Sequence, residues 1–217
     1  MTELENPEPS EGVKKSTRKQ KPLSEIYKLW DELAYTRLLA DREREPSEEY
    51  LVKWQKLHSM AWQNGGWICS LTDARLVASM GHWTFFRLRQ YGLALEHIEK
   101  LSLHPDFAEI DRWELETYHF YCAMQLFILG RHKEAIGHCE EIRKDQQHGK
   151  SGRLEHTLSI ISIALDELEP DSEVPTQMKN YAADLASEIP GRKRTAKAVL
   201  GCLKVSELKA ILDSRQD

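Results

Sequence analysis

Residues 117–129, TYHFYCAMQLFIL, constrain the fold more than any other segment, because as a helix they are apolar around almost the whole circumference. Outside the aromatic rings, only Thr117, His119 and Gln125 are polar. A helix without a polar face has to be buried on all sides, so other helices must surround it. The chain of 217 residues is long enough for one elongated domain, or for one domain with tails.

Proline and glycine breaks divide the rest of the chain into further predicted helices. The first is predicted over 24–44, with Ser24 as its N-cap. The third should be capped by Thr72 or Asp73. The sequence Gln-Asn-Gly-Gly at 63–66 could form a hairpin turn, but no alternating pattern flanks it, so we predict a loop. The remaining helices are predicted over 46–62, 72–88, 91–103, 111–130, 132–145, 154–168 and 176–188, with one or two short helices in the last 26 residues. We therefore expect an all-α fold.

Two windows of the sequence share one pattern. They read RQYGLALEHIEKLSLHP at 89–105 and GRHKEAIGHCEEI at 130–142. In each window a polar turn is followed by a residue with a ring-shaped side chain, Tyr91 or His132. An alanine, Ala94 or Ala135, comes three residues later. Each window also follows a strongly apolar helix. The predicted packing positions of the second window are Gly130, Ala135, Cys139 and Ile142.

This pattern resembles the tetratricopeptide repeat over about residues 74–145. The resemblance implies antiparallel helical hairpins, in which a small residue of the second helix lets the first helix cross closely. Gly130 matches the family's turn glycine, whereas Arg89 departs from it at the same place in the first unit. The two alanines lie 41 residues apart, against a family period of about 34 residues, so an insertion separates the units. We expect a tetratricopeptide-like α-solenoid or a compact helical-repeat bundle.

The resemblance also implies a concave groove, and its positions in this chain are mainly aromatic and apolar. Two outcomes are open: flanking helices fill the groove, or it accepts an apolar peptide, a partner helix or a second copy of the chain. Ser79 is a further groove position. The predicted partner-binding residues are Trp83, Phe86, Arg87, Phe120, Met124 and Phe127.

Cysteines and histidines offer the main alternative chemistry. His119 and Cys122 lie three residues apart on the predicted helix that faces Cys139. These three side chains form a conceivable metal site. Their spacing does not match zinc-type ligand pairs, and each has a predicted packing role. His138 is predicted to face solvent. The sequence also lacks the common nucleophile, metalloprotease and nucleotide-binding motifs, so we predict no metal, no cofactor and no enzymatic activity.

Charge separates the ends of the chain from its middle. The net charge is −5, and it arises from the middle, because the C-terminal end is basic. By composition we predict a disordered charged tail over 1–22, a helical-repeat domain over 23–190 and a basic helical extension over 191–217. The four widely spaced cysteines indicate reduced thiols and a cytoplasmic protein. No apolar run is long enough to span a membrane.

These features together predict a non-catalytic protein–protein interaction module, a scaffold or adaptor that binds a peptide, a helix or a protein partner. A homo-oligomer is a further possibility. One alternative is a nucleic-acid-associated protein that uses its basic termini. The other is an enzyme with an unrecognised site.

Overall fold

The structure, a computed structural model, describes residues 24–39, 46–144, 150–171, 173–187 and 204–213. Within these ranges it is predominantly helical, with one small hairpin and one isolated bridge between Glu173 and Lys204, which confirms the all-α prediction. The predicted N-terminal tail lies outside the described residues, and so do the two clusters of basic residues in the termini, KKSTRKQK at 14–21 and RKRTAK at 192–197. The helices are α1 Glu25–Leu39, α2 Glu48–Ala61, α3 Leu71–Arg87, α4 Tyr91–Glu99, α5 Arg112–Ile128, α6 His132–Lys144, α7 Lys150–Asp166, α8 Thr176–Ser187 and α9 Val205–Asp213. Two 3₁₀ turns, Lys100–Leu103 and Phe107–Glu109, join α4 to α5.

The prediction of a loop at 63–66 is wrong, because the chain forms a β-hairpin there. Strand β1, Trp62–Gln63, pairs antiparallel with β2, Gly66–Trp67. Asn64 and Gly65 have φ angles of 51° and 77°, as a type I′ turn requires. The Trp62 and Trp67 rings pack edge to face at 4.9 Å between centroids. Since each strand has two residues, it is too short to carry an alternating pattern, and the tryptophan pair stabilises it instead.

Helix starts follow side-chain capping. Ser24 accepts the Tyr27 backbone N–H at 2.9 Å, which confirms it as the predicted cap of α1. The predicted cap of α3 was wrong: Ser70 accepts the N–H of Asp73 at 3.2 Å, so α3 begins earlier. Helix α7 also begins earlier than predicted, at Lys150. A polar side chain can cap any of several adjacent positions, so the sequence alone does not select one.

The helices of the α3–α4 and α5–α6 pairs begin at equivalent residues when the chain is shifted by 41 residues, although α6 is four residues longer than α4. Helices α3 and α5 each contain 17 residues, and each is followed by three linking residues before the next helix begins. The N-caps Ser70 and Asp111 correspond under the same shift, and both accept the backbone N–H three residues on. The two pairs therefore have closely similar backbones although their sequences differ.

The turns inside the two pairs are also equivalent. Arg89 and Gly130 adopt left-handed φ angles of 54° and 75°. After Arg89, the Gln90 N–H donates to the Phe85 carbonyl at 2.9 Å, and after Gly130 the Arg131 N–H makes the equivalent bond at 2.8 Å. These are Schellman-type helix ends. Arg89 thus takes the conformation of the turn glycine without being a glycine.

The core runs through all the described helices. Ala94, Ala135 and Cys139 are fully buried and Ile142 is 1% exposed, which confirms these predicted packing positions, whereas Gly130 is exposed. Helix α5 packs against α4, α6 and α7, as its apolar circumference requires. Helix α9 packs on α7 and buries Val205 and Leu208, so this part of the C-terminal segment shares the same core.

Gly81 of α3 is expected to be intolerant of any side chain. A Cβ atom there would lie 2.9 Å from Cγ of His97. The His97 ring cannot move aside easily, because it stacks on Phe85 at an interplanar angle of 4° and meets Trp54 edge-on. Replacing Gly81 with alanine should therefore lower the free energy of unfolding by about 1–3 kcal/mol, measured by urea denaturation.

Gly137 provides the matched control, since it also lies within a helix, but a Cβ atom added there would meet no other atom within 4 Å. The substitution Gly137→Ala should raise the free energy of unfolding by about 0.5–1 kcal/mol through helix propensity. If Gly81→Ala stabilises the protein as much as Gly137→Ala does, the close packing of α3 on α4 is wrong.

Candidate functional surfaces

Two of the predicted groove residues belong to the core. Met124 and Phe127 are both fully buried, so neither can contact a partner in this conformation, which corrects their expected position on an accessible face. Helix α7 packs against α5, and the Phe127 ring lies 6.0 Å from that of His132. At this end the groove is filled, which is one of the two outcomes that the sequence left open.

The other predicted residues remain partly accessible. Trp83, Phe86, Arg87 and Phe120 are half-buried, and so is the neighbouring Tyr121. The four rings among them are arranged edge to face, which is a favourable aromatic geometry. We call the rings of Trp83, Phe86, Phe120 and Tyr121 the aromatic strip.

Contacts between its rings make the aromatic strip continuous. The Trp83 ring lies 5.7 Å from Phe86 and 5.5 Å from Tyr121, and Phe120 lies 6.0 Å from Tyr121. The Trp83 Nε1–H also donates to the Tyr121 hydroxyl at 3.2 Å. The strip therefore crosses from α3 to α5.

Tyr121 was missed by sequence reasoning, because it does not occupy a groove position implied by the tetratricopeptide resemblance. Below it lies His82, which is fully buried and stacks on the Tyr121 ring at 4.3 Å. This stacking supports Tyr121 from the core side. The available signal was its place beside Phe120 in the apolar segment 117–129.

Arg87 and a tyrosine–glutamate pair define one end of the strip. Arg87 makes no ion pair with any residue that the structure describes. Phe86 meets Tyr91 at 5.8 Å, and the Tyr91 hydroxyl donates to Glu167, just beyond α7. Burial and the adjacent carboxylate raise the pKa of Tyr91. The hydroxyl therefore stays protonated and holds the end of α7 against α4.

A second candidate site lies between α5 and α6. His138 is half-buried rather than solvent-facing, which corrects the sequence prediction, and its Nδ1 lies 2.8 Å from Nδ1 of His119. Burial, followed by the neighbouring His138, lowers the pKa of His119 to about 4, and burial also lowers the pKa of His138. Both rings are therefore neutral at pH 7. We call them the histidine pair.

A cavity adjoins the histidine pair. Its volume is about 370 Å³, and His119 contributes to its wall. The charged side chains around it are Arg112, Glu116, Glu141 and Lys144. Acidic and basic groups are equally numerous there, so the wall favours neither anions nor cations by net charge.

The cysteines have the character of buried apolar side chains. Cys122 and Cys139 are fully buried, and burial raises the pKa of both thiols, that of Cys139 to about 12. Burial also raises the pKa of Cys69 to about 11. At neutral pH these thiols are protonated, which makes them poor nucleophiles and poor metal ligands.

The chain was compared with known protein families, curated proteins and solved structures. No protein-family model, curated protein or solved structure matches the chain. Among the helices that the structure describes, none combines the length and the apolar character needed to cross a membrane. Function has to be inferred from the two sites themselves.

Proposed function

We propose that this chain is a non-catalytic protein-binding module and that its partner docks on the aromatic strip. The observation that carries the proposal is the strip itself, since four rings from two helices form one continuous, half-exposed surface. Aromatic side chains and arginine are enriched in protein interfaces and dominate their binding energy. Arg87, next in the chain to Phe86, supplies the arginine.

Preorganisation supports this role. Trp83 and Tyr121 are joined by a hydrogen bond of 3.2 Å, and His82 supports Tyr121 from below. Rings that are held before binding lose little conformational entropy when a partner arrives. The strip can therefore contribute affinity without first being ordered.

The chemistry of the strip indicates what the partner presents. Contact with aliphatic or aromatic side chains would remove the exposed part of these half-buried rings from water, which is favourable in free energy. Arg87 makes no ion pair within the described residues, and it favours a carboxylate beside that apolar contact. We propose a partner segment in which apolar side chains are followed by an acidic residue.

The equivalent α3–α4 and α5–α6 pairs support a tetratricopeptide-like arrangement within this proposal. The first helices of the two pairs, their N-caps and their turns coincide under a shift of 41 residues, and the alanines of the resemblance, Ala94 and Ala135, are fully buried. Helical-repeat proteins commonly bind partners along the surface that their stacked helices create. We also propose a cytoplasmic location, since Cys69, Cys122 and Cys139 are free thiols.

The test places a photo-crosslinking amino acid at Ser79, one helical turn before Trp83 on α3, in the full chain and captures the partner from an extract of the source organism. The double substitution Trp83→Ala with Phe120→Asp should reduce retention of the crosslinked partner at least about tenfold, because central aromatic contacts dominate interfaces. Helix content, measured by circular dichroism, should stay unchanged.

The matched control is Leu103→Ala with Val52→Asp, two exposed apolar positions outside the strip, 62% and 59% accessible. This variant should retain the same partner. Equal retention by the strip variant and the wild type would show that the strip is not the binding surface. Loss of helix content in the strip variant would show instead that its rings are part of the core.

A further inference from the structure

The histidine pair has a nitrogen–nitrogen separation that suits a chelate as well as a hydrogen bond. The two Nδ1 atoms lie 2.8 Å apart, and with metal–nitrogen bonds of about 2.0 Å this separation subtends an angle of about 90° at a metal ion. Adjacent ligands of a square-planar or tetragonal site have that angle. A tetrahedral zinc site would require nitrogen atoms about 3.3 Å apart, so the spacing favours copper(II) geometry.

Both nitrogen atoms are available as ligands at neutral pH. A metal binds the unprotonated imidazole nitrogen, and burial lowers the pKa of both His119 and His138. In the neutral pair, one Nδ1 carries the proton that joins the rings. On metal binding, that ring changes to its Nε2–H tautomer, so both Nδ1 lone pairs can face the metal. No proton is released overall.

Aromatic contacts hold the rings in place, and a cavity opens beside His119. The Tyr118 ring packs edge-on against His119 at 5.2 Å and His138 at 6.1 Å. The cavity of about 370 Å³ beside His119 can accommodate water ligands. Glu141 carries a negative charge that acts on both rings, and this charge would partly balance that of a cation.

Other charges near the pair offset one another. Glu134 and Glu141 favour positive charge at the rings, while Arg131 and Lys144 oppose it. Glu141 is also paired with Lys144 at 2.5 Å. The site is therefore neither strongly attractive nor strongly repulsive to a cation, and the two imidazoles must supply most of the affinity.

We propose that His119 and His138 form a bidentate copper(II)-binding site with water in the remaining coordination positions. No group of three histidine, cysteine or carboxylate residues suited to a metal is found in the described part of the chain. The site is consequently open rather than enclosed. It uses none of the rings of the aromatic strip, and it does not depend on the proposed protein-binding function.

Copper(II) titration of the full chain, followed by electron paramagnetic resonance, tests this proposal. We expect one equivalent of copper with an axial spectrum and coupling to two nitrogen nuclei. His119→Gln and His138→Gln should each weaken binding at least about tenfold. The control His132→Gln changes another half-buried histidine, on the same helix as His138, and should leave the spectrum and the affinity unchanged.

Two results would overturn the site. The first is copper affinity in the double variant His119→Gln with His138→Gln equal to that of the wild type. The second result comes from nuclear magnetic resonance of the wild type, so it does not depend on whether the variants fold. In nuclear magnetic resonance spectra of the wild type, substoichiometric copper(II) should broaden the ring signals of His119 and His138 first. Earlier broadening of other histidines would refute the assignment.

Discussion

Replacing Phe127 with alanine is expected to lower the free energy of unfolding by about 3–5 kcal/mol. The ring is fully buried, and its helix is packed on three sides by α4, α6 and α7. Close packing prevents the surroundings from collapsing into the space, so the lost apolar contacts and the cavity both contribute. Urea denaturation at neutral pH measures the change. An effect this large exceeds that of most single substitutions.

Phe86 is the matched comparison, because it occupies the position equivalent to Phe127 under the shift of 41 residues. It is half-buried, so Phe86→Ala should cost clearly less stability than Phe127→Ala. Equal losses would mean that Phe86 is also core, and the aromatic strip would lose one of its rings. A small loss for Phe127→Ala would instead show that α7 does not cover this part of α5.

The second large effect is the contribution of His97 to the loss of stability in mild acid. This side chain is 7% exposed, and burial, followed by the positive charges of Lys100 and His58, lowers its pKa to about 4, while Glu96 opposes them. The unfolded chain has an ordinary histidine pKa of about 6.5, so it binds the proton first as pH falls. The contribution of His97 is fully present above pH 6.5. It is lost as pH falls from there to about 4, by about 3 kcal/mol in total.

The variant His97→Leu isolates this contribution, because leucine does not titrate. Between pH 7 and pH 4.5, its free energy of unfolding should fall by about 2–3 kcal/mol less than that of the wild type. Carboxylates and other histidines with lowered pKa values, among them His119 and His138, also titrate in this range, but they do so in both proteins. Identical losses in the two proteins would refute the role of His97. A His97 imidazole signal that titrates near the ordinary histidine pKa in the folded protein would do so as well.

Local sequence signals predicted most of the helices. The apolar circumference of 117–129, the cap at Ser24 and the left-handed turn at Gly130 each depend on nearby residues, and the structure has them all. Cys139 was correctly predicted as a small buried side chain because its helical spacing from Ala135 places both on one face.

The features that the sequence missed depend on contacts between distant segments. The Trp62–Trp67 hairpin is supported by a hydrogen bond of 2.6 Å from the Trp67 indole to the Lys100 carbonyl. Met124 and Phe127 are fully buried; the apolar circumference of α5 predicted burial on all sides, but spacing along α5 cannot show which helices cover these two residues. His138 was assigned to solvent because its partner His119 lies on another helix.

At the turn between α3 and α4, Arg89 adds a positive charge but adopts a backbone conformation that lowers the stability of the fold. Its left-handed φ angle of 54° costs an L-residue about 1–2 kcal/mol, a cost that glycine would not incur. The arginine nevertheless adds a second cation two positions from Arg87, on an otherwise acidic central region. The first turn thus carries a local positive charge at the expense of backbone strain, while the second turn, with Gly130, is relaxed and uncharged at this position.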